Sequence, residues 1–195
     1  MLLPSSFLVY FGGLAASGAL FFRARPFDAK AAAVSDIESP DDNPRGYGWA
    51  AAGTAVSAVL LLPAGLVFHR RLSKEHPALA GAGAVLFAPG AGSAIAIGLL
   101  SPYTRGYTPV HVQLAFASFI GICGGTMLFL FAARAKPLLI ELQCAVLVFL
   151  VYLYFGPDVF DNSRLLSSLA LWEWVLCADC AVALWALARA VEGVA

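Results

Sequence analysis

The chain has 195 residues, of which 61% are hydrophobic and 12% charged, and its mean hydropathy is +0.81. A soluble domain carries about a quarter charged residues, so this balance belongs to a membrane protein. Lys and Arg together match Asp and Glu at 12 each, and no basic run exceeds Arg70-Arg71, which excludes a nucleic-acid footprint and a polybasic anionic-lipid patch.

Six apolar stretches follow one another, at about 2–22, 48–68, 77–100, 110–132, 137–155 and 165–191. Each nears the ~20 residues that cross a hydrocarbon core. None alternates with period two, so their backbone groups are satisfied as helices rather than as barrel strands. The expected fold is an all-α bundle of six transmembrane helices in one domain, with short loops and one long first extracytoplasmic loop. The first stretch lacks the basic segment of a signal peptide and is expected to be a retained helix, with both termini on one side.

Charge counting does not orient this bundle. Arg70, Arg71, Lys74, Arg134, Lys136 and Arg189 fall on the side of the termini, and Arg23, Arg25, Lys30, Arg45, Arg105 and Arg164 on the other. Density breaks the tie, because residues 69–76 and 133–137 are short basic joints of the kind that stay inside. Both termini are therefore expected in the cytoplasm, and the protein in a bacterial or archaeal inner membrane.

The joint at 23–47 is longer than a connection requires. It carries Asp36, Glu38, Asp41 and Asp42 beside Pro40 and Pro44. Prolines suppress helix and fix turns, and the plain reading is a solvated loop running over the surface. The sharper reading is an acidic lid for a cation or a lipid head group, though the spacing is not that of an EF-hand. On the same side lie Tyr103, Arg105 and His111, the last opening the fourth span, together with Asp158, Asp161, Asn162 and Arg164. Asp36, Glu38, Tyr103, Arg105 and His111 are the candidate binding residues of this outer face. His111 suits an interfacial helix start and, within hydrogen-bond reach of Asp36, would be a general base.

Val34-Ser35-Asp36 after the first span, a basic joint after the second and Val110-His111 opening a small-residue-rich fourth span resemble the six-span damage-regulated autophagy modulator superfamily, which includes the fibroblast-growth-factor-receptor-activating proteins. In that family the first motif usually follows Pro-Tyr-Ile, where this chain has Ala32-Ala33-Val34, and the second joint is shorter here. Those departures fit a distant prokaryotic-type relative. The resemblance implies cytoplasmic termini, an outward first loop and a role in membrane lipid organisation.

Within the bilayer, Gly13 with Ser17, Ala94 with Gly98 and Gly121 with Gly125 repeat small residues at four-residue spacing, which lets helix backbones approach. Pro63 and Pro89 sit inside spans two and three and are expected to kink them. Of the tryptophans, Trp49 fits an interfacial anchor, and Trp172, Trp174 and Trp185 are expected to pack against helices or a partner. The last span holds Glu173, Cys177, Asp179 and Cys180. An ionisable group at mid-membrane costs about 2.5–3.5 kcal/mol and faces the bundle. Glu173, Cys177 and Cys180 share one helical face and Asp179 lies about 100° away from Cys180. Asp179 is a proton-relay candidate, or else a protonated group bonded to a backbone or hydroxyl.

Cys177 and Cys180 form a C-x-x-C, but Cys123 and Cys144 lie in other spans and not in an aqueous loop, so the cysteines read as small apolar residues. His69, His76 and His111 fall on opposite membrane faces and form no zinc site. No metal or cofactor is implied. The leading expectation is a non-enzymatic protein that binds or organises membrane lipid, or an accessory subunit of a membrane complex. The alternatives are a hydrolase or head-group transferase using Asp36 and His111, and a proton-coupled carrier using Asp179.

Overall fold

The computed structural model describes residues 3–23, 25–28, 32–101, 109–155 and 168–192. They form α1 (Leu3–Phe21), α2 (Val34–Glu38), α3 (Tyr47–Leu72), α4 (Pro77–Leu100), α5 (Pro109–Ala132), α6 (Pro137–Phe155) and α7 (Leu169–Glu192), with no strand among them. Three helices open on proline, whose fixed φ and missing N–H suit a first turn. Helix α5 ends at Ala132; two residues on, Arg134 has a left-handed φ of 50°, and the Ala135 N–H bonds back to the Leu130 carbonyl at 3.0 Å.

Helices α1, α3, α4, α5 and α7 are each long and apolar enough to cross a membrane. This fits a multi-pass integral membrane protein. The outward side chains are as apolar as the inward ones: Leu8, Val85 and Val148 are at least 70% exposed. In water such a surface would drive aggregation, whereas in lipid it is the solvated face.

Without a hydrophobic drive between helices, close backbone approach has to supply the packing. Gly121 on α5 faces Gly90 on α4 so closely that a Cβ on Gly121 would lie 2.6 Å from the Gly90 Cα. Gly125 and Gly83 continue that contact, and Phe87 of α4 lies against both Gly65 of α3 and Gly125. Gly98 meets the Ala51 carbonyl of α3, and Gly13 of α1 meets Trp49 and Gly53 of α3. The small-residue pairs thus define the α1–α3–α4–α5 seam. At the end of the bundle where α1 begins, Phe129 packs edge-on to Phe68 at 5.8 Å, in one apolar cluster with Leu3, Leu72 and Val191. Helices α3 and α4 run unbroken through Pro63 and Pro89.

The joint after α1 departs from the surface-loop reading. Residues 34–38 form α2, with Val34, Ile37 and Glu38 buried, and Ile37 has no exposed surface. Burial of the apolar face of α2 against α1 draws the segment into the bundle, and hydrogen bonds fix it there. The fully buried Ser17 hydroxyl of α1 donates to the Ile37 carbonyl at 2.9 Å. The buried Asn43 amide donates to the Ser17 carbonyl, the Ser17 hydroxyl and the Ile37 carbonyl at 2.8–3.2 Å. Asn43→Ala removes these donors and is expected to lower the stability of the detergent-solubilised protein by about 2 kcal/mol. Limited proteolysis should then cut between residues 32 and 46 faster than in the parent protein.

Candidate functional site

The first turns of α3, α5 and α7 and the inner face of α2 all lie at the end of the bundle where α1 finishes. From the inner face of α2 a cavity of about 140 Å³ runs into the bundle between α1, α3, α4, α5 and α7, as far as Leu61 and Leu184. Its walls are mostly apolar, including Phe7 and Phe11 of α1, Ile97 of α4, Phe119 and Ile122 of α5 and Leu184 of α7. Into this apolar volume project Tyr10, Glu38, His111, Glu173, Cys177 and Cys180.

Glu38 is 6% exposed and accepts a hydrogen bond from the Thr54 hydroxyl of α3. Its own backbone carbonyl accepts from the Ser101 hydroxyl at the end of α4, at 2.7 Å. Loss of hydration on burial pushes the Glu38 carboxyl up to about 7, against which the Thr54 hydroxyl bond acts. Glu173, one turn into α7, accepts from the Ser35 backbone N–H at 3.1 Å and from the Ser35 hydroxyl at 3.1 and 3.2 Å. Trp174 beside it donates its indole N–H to the Ala32 carbonyl at 2.9 Å. Helix α2 is therefore tied to α3 through Glu38, and to α7 through Ser35.

Deeper in the cavity the Tyr10 hydroxyl and Cys177 thiol are 3.0 Å apart, and the Cys180 thiol lies 3.2 Å from that of Cys123 on α5. Ser6 donates to the Ser57 carbonyl, and Ser57 to the Thr54 carbonyl, each at 3.0 Å. Residues 6, 10, 13 and 17 of the first span lie on one helical face, and that stripe of small and polar side chains was the available signal for the inward side of α1.

The structure separates the sequence candidates. Glu38, His111 and Glu173 come together at the cavity, as do Cys177 and Cys180 on the face they share with Glu173. Asp36 takes a different role: its carboxylate accepts from the Ala33 backbone N–H at 2.9 Å and closes the first turn of α2. Burial pushes its carboxyl up, opposed by that backbone bond. Asp179 points away from the cavity, as its helical angle requires, and is met by the Gln143 amide of α6, which donates to both carboxylate oxygens at 2.9 and 3.0 Å. A side-chain amide stands where a backbone or hydroxyl partner was expected. Tyr103, Arg105, Asp158, Asp161, Asn162 and Arg164 lie outside the described residues.

The tryptophans divide. Trp172 packs against Phe149 with ring centres 4.8 Å apart, Trp174 caps the α2 segment, and Trp185 is 46% exposed on the outer surface beneath Arg189. Among the described residues no group of three or more His, Cys, Asp or Glu side chains is arranged to hold a metal ion. No family model, curated protein or solved structure matches this chain.

Proposed function

We propose that this chain is a six-crossing membrane protein that holds a membrane lipid, or the end of one, in the cavity beneath α2, and does not turn it over. The carrying observation is the cavity itself: mostly apolar walls within the bundle, with two carboxylates, Glu38 and Glu173, beside α2. That distribution matches an amphiphile, whose apolar part needs no partner and whose head needs several. The volume is close to the ~150 Å³ of a dry engineered cavity that admits benzene, so it takes a head group and a few methylenes rather than a whole lipid.

Binding without turnover accords with how the carboxylates are used. Asp36 is engaged as a helix cap, Glu173 by Ser35 and Glu38 by Thr54, each a bond that holds α2 in place. The sixth crossing is supported by direction. Helices α5 and α7 both end near Leu3 and Leu72, while α7 begins beside α2, so the chain returns across the bundle between them. The 19 residues of α6 rise about 28 Å, close to a hydrocarbon core. The placement in a cytoplasmic membrane with both termini inside, and the kinship with the damage-regulated autophagy modulator superfamily, belong to this proposal and rest on the basic joints and on the Val34-Ser35-Asp36 and Val110-His111 motifs.

Native mass spectrometry of the protein released from a mild detergent tests the reading. Retained lipid is expected, lost when Ala115→Phe fills the cavity and kept when the lipid-facing Val85, 71% exposed, becomes Phe. Equal retention in both variants sinks the cavity as the binding site, and a copurifying protein subunit in place of lipid favours an accessory role. Altered membrane lipid composition in Asp36→Asn or His111→Ala cells, with the protein correctly inserted, would restore the enzyme alternative.

A further inference from the structure

Two carboxylates reach one cavity from separate elements, Glu38 on α2 and Glu173 on α7. A carboxylate offers about four lone-pair positions, so the bonds from Thr54 and Ser35 leave acceptor capacity on both. Of the hydroxyls in the lining, Ser6 and Ser57 donate to backbone carbonyls and Ser35 and Thr54 to the two carboxylates, so these four offer acceptors rather than protons. Among the described residues that line the cavity there is no Lys or Arg, and His111 is the one basic side chain.

An anionic head group would therefore meet lone pairs, and like charge wherever either carboxyl is ionised. An ammonium head supplies what this lining lacks: a positive charge and up to three N–H donors. Removing two carboxylates from water is costly unless they are paired, and a bound cation provides that pairing. The rings of Phe7, Phe11 and Phe119 add faces on which an alkylammonium group is attracted.

We infer that the cavity is selective for a hydrophobic amine, an amphiphile whose ammonium head sits between Glu38 and Glu173 and whose apolar body lies along the aromatic wall. This rests on the lipid-binding reading and specifies its head group. The amine is either the head of a membrane lipid or a free lipophilic amine, and the two share this chemistry.

The test is calorimetric titration of the full chain in maltoside detergent with dodecylamine, dodecanol and dodecanoate, which share one tail and differ in the head. Dodecylamine is expected to bind about tenfold or more tighter than the other two. Glu38→Gln and Glu173→Gln, which keep the shape and the acceptor oxygen, should each weaken the amine about tenfold and leave dodecanol unchanged. Equal affinity for all three heads overturns the amine assignment and leaves the cavity as a general lipid site. Binding of none overturns both readings. If a Gln variant fails to fold by its melting curve, the head-group comparison on the parent protein still decides. Phosphatidylethanolamine against phosphatidylglycerol then finds the source: retention of the former assigns a lipid head, retention of neither with dodecylamine bound assigns a free amine, and preference for phosphatidylglycerol overturns the proposal.

Discussion

Gly121→Ala is expected to push α4 and α5 apart and to cost about 3 kcal/mol, the upper end for overpacking. The added Cβ would stand 2.6 Å from the Gly90 Cα and 2.8 Å from the Leu86 carbonyl oxygen. Both are backbone atoms, so no side chain can turn aside and the whole helix has to move. In a membrane the loss is compounded, since close van der Waals contact is the main force joining these helices. Gly92 on the same α4 is the control, because nothing lies within 4 Å of its Cβ position. Gly92→Ala should be neutral or stabilising by up to about 1 kcal/mol through helix propensity. Thermal unfolding of both variants in one detergent separates the contact from any general intolerance of the helix.

The second large effect is the dependence of stability on pH through Glu38. Burial raises its carboxyl from an ordinary 4.5 to about 7 in the folded chain. Between those values the folded form binds a proton that the unfolded form releases. Stability is then fullest below about pH 4.5 and is lost as pH rises toward 7. A shift of this size corresponds to about 3 kcal/mol. Glu38→Gln keeps the acceptor for Thr54 and removes the proton, so its unfolding midpoint should vary less with pH over that window. Asp36, also raised by burial, contributes a slope of the same sign that persists in the variant. An unchanged profile in Glu38→Gln would show that Glu38 reaches water through the cavity.

These two residues also mark the limits of what a sequence conveys. Gly121 and Gly125 were legible as a small-residue face from their spacing, because helical periodicity alone puts them on one side. That Gly90 is their partner was not, since the pairing depends on how two helices cross. Glu173, Cys177 and Cys180 could be placed on one face of the last span for the same reason, and Asp179 on another. That Asp179 is met by Gln143 depends on the position of α6.

Asp36 and Glu38 sit two residues apart in an acidic, proline-containing segment that reads as surface loop by composition. Their separation into a helix cap and a buried cavity residue follows from one short turn of helix, α2, and from Ser17 and Asn43, which hold it against α1. Side chains two apart on a helix point about 200° away from each other, so only one of the pair can face the cavity.

The sequence by itself determined the medium and the helices. Long apolar runs leave a backbone in lipid no alternative to internal hydrogen bonding, and their spacing fixes which residues share a face. The tertiary structure decided that the first joint folds inward, that Glu38, His111 and Glu173 line one cavity, and which close helix contacts form. Those outcomes depend on contacts between residues far apart in the chain, made possible by glycines whose missing side chains are visible in the sequence but whose partners are not.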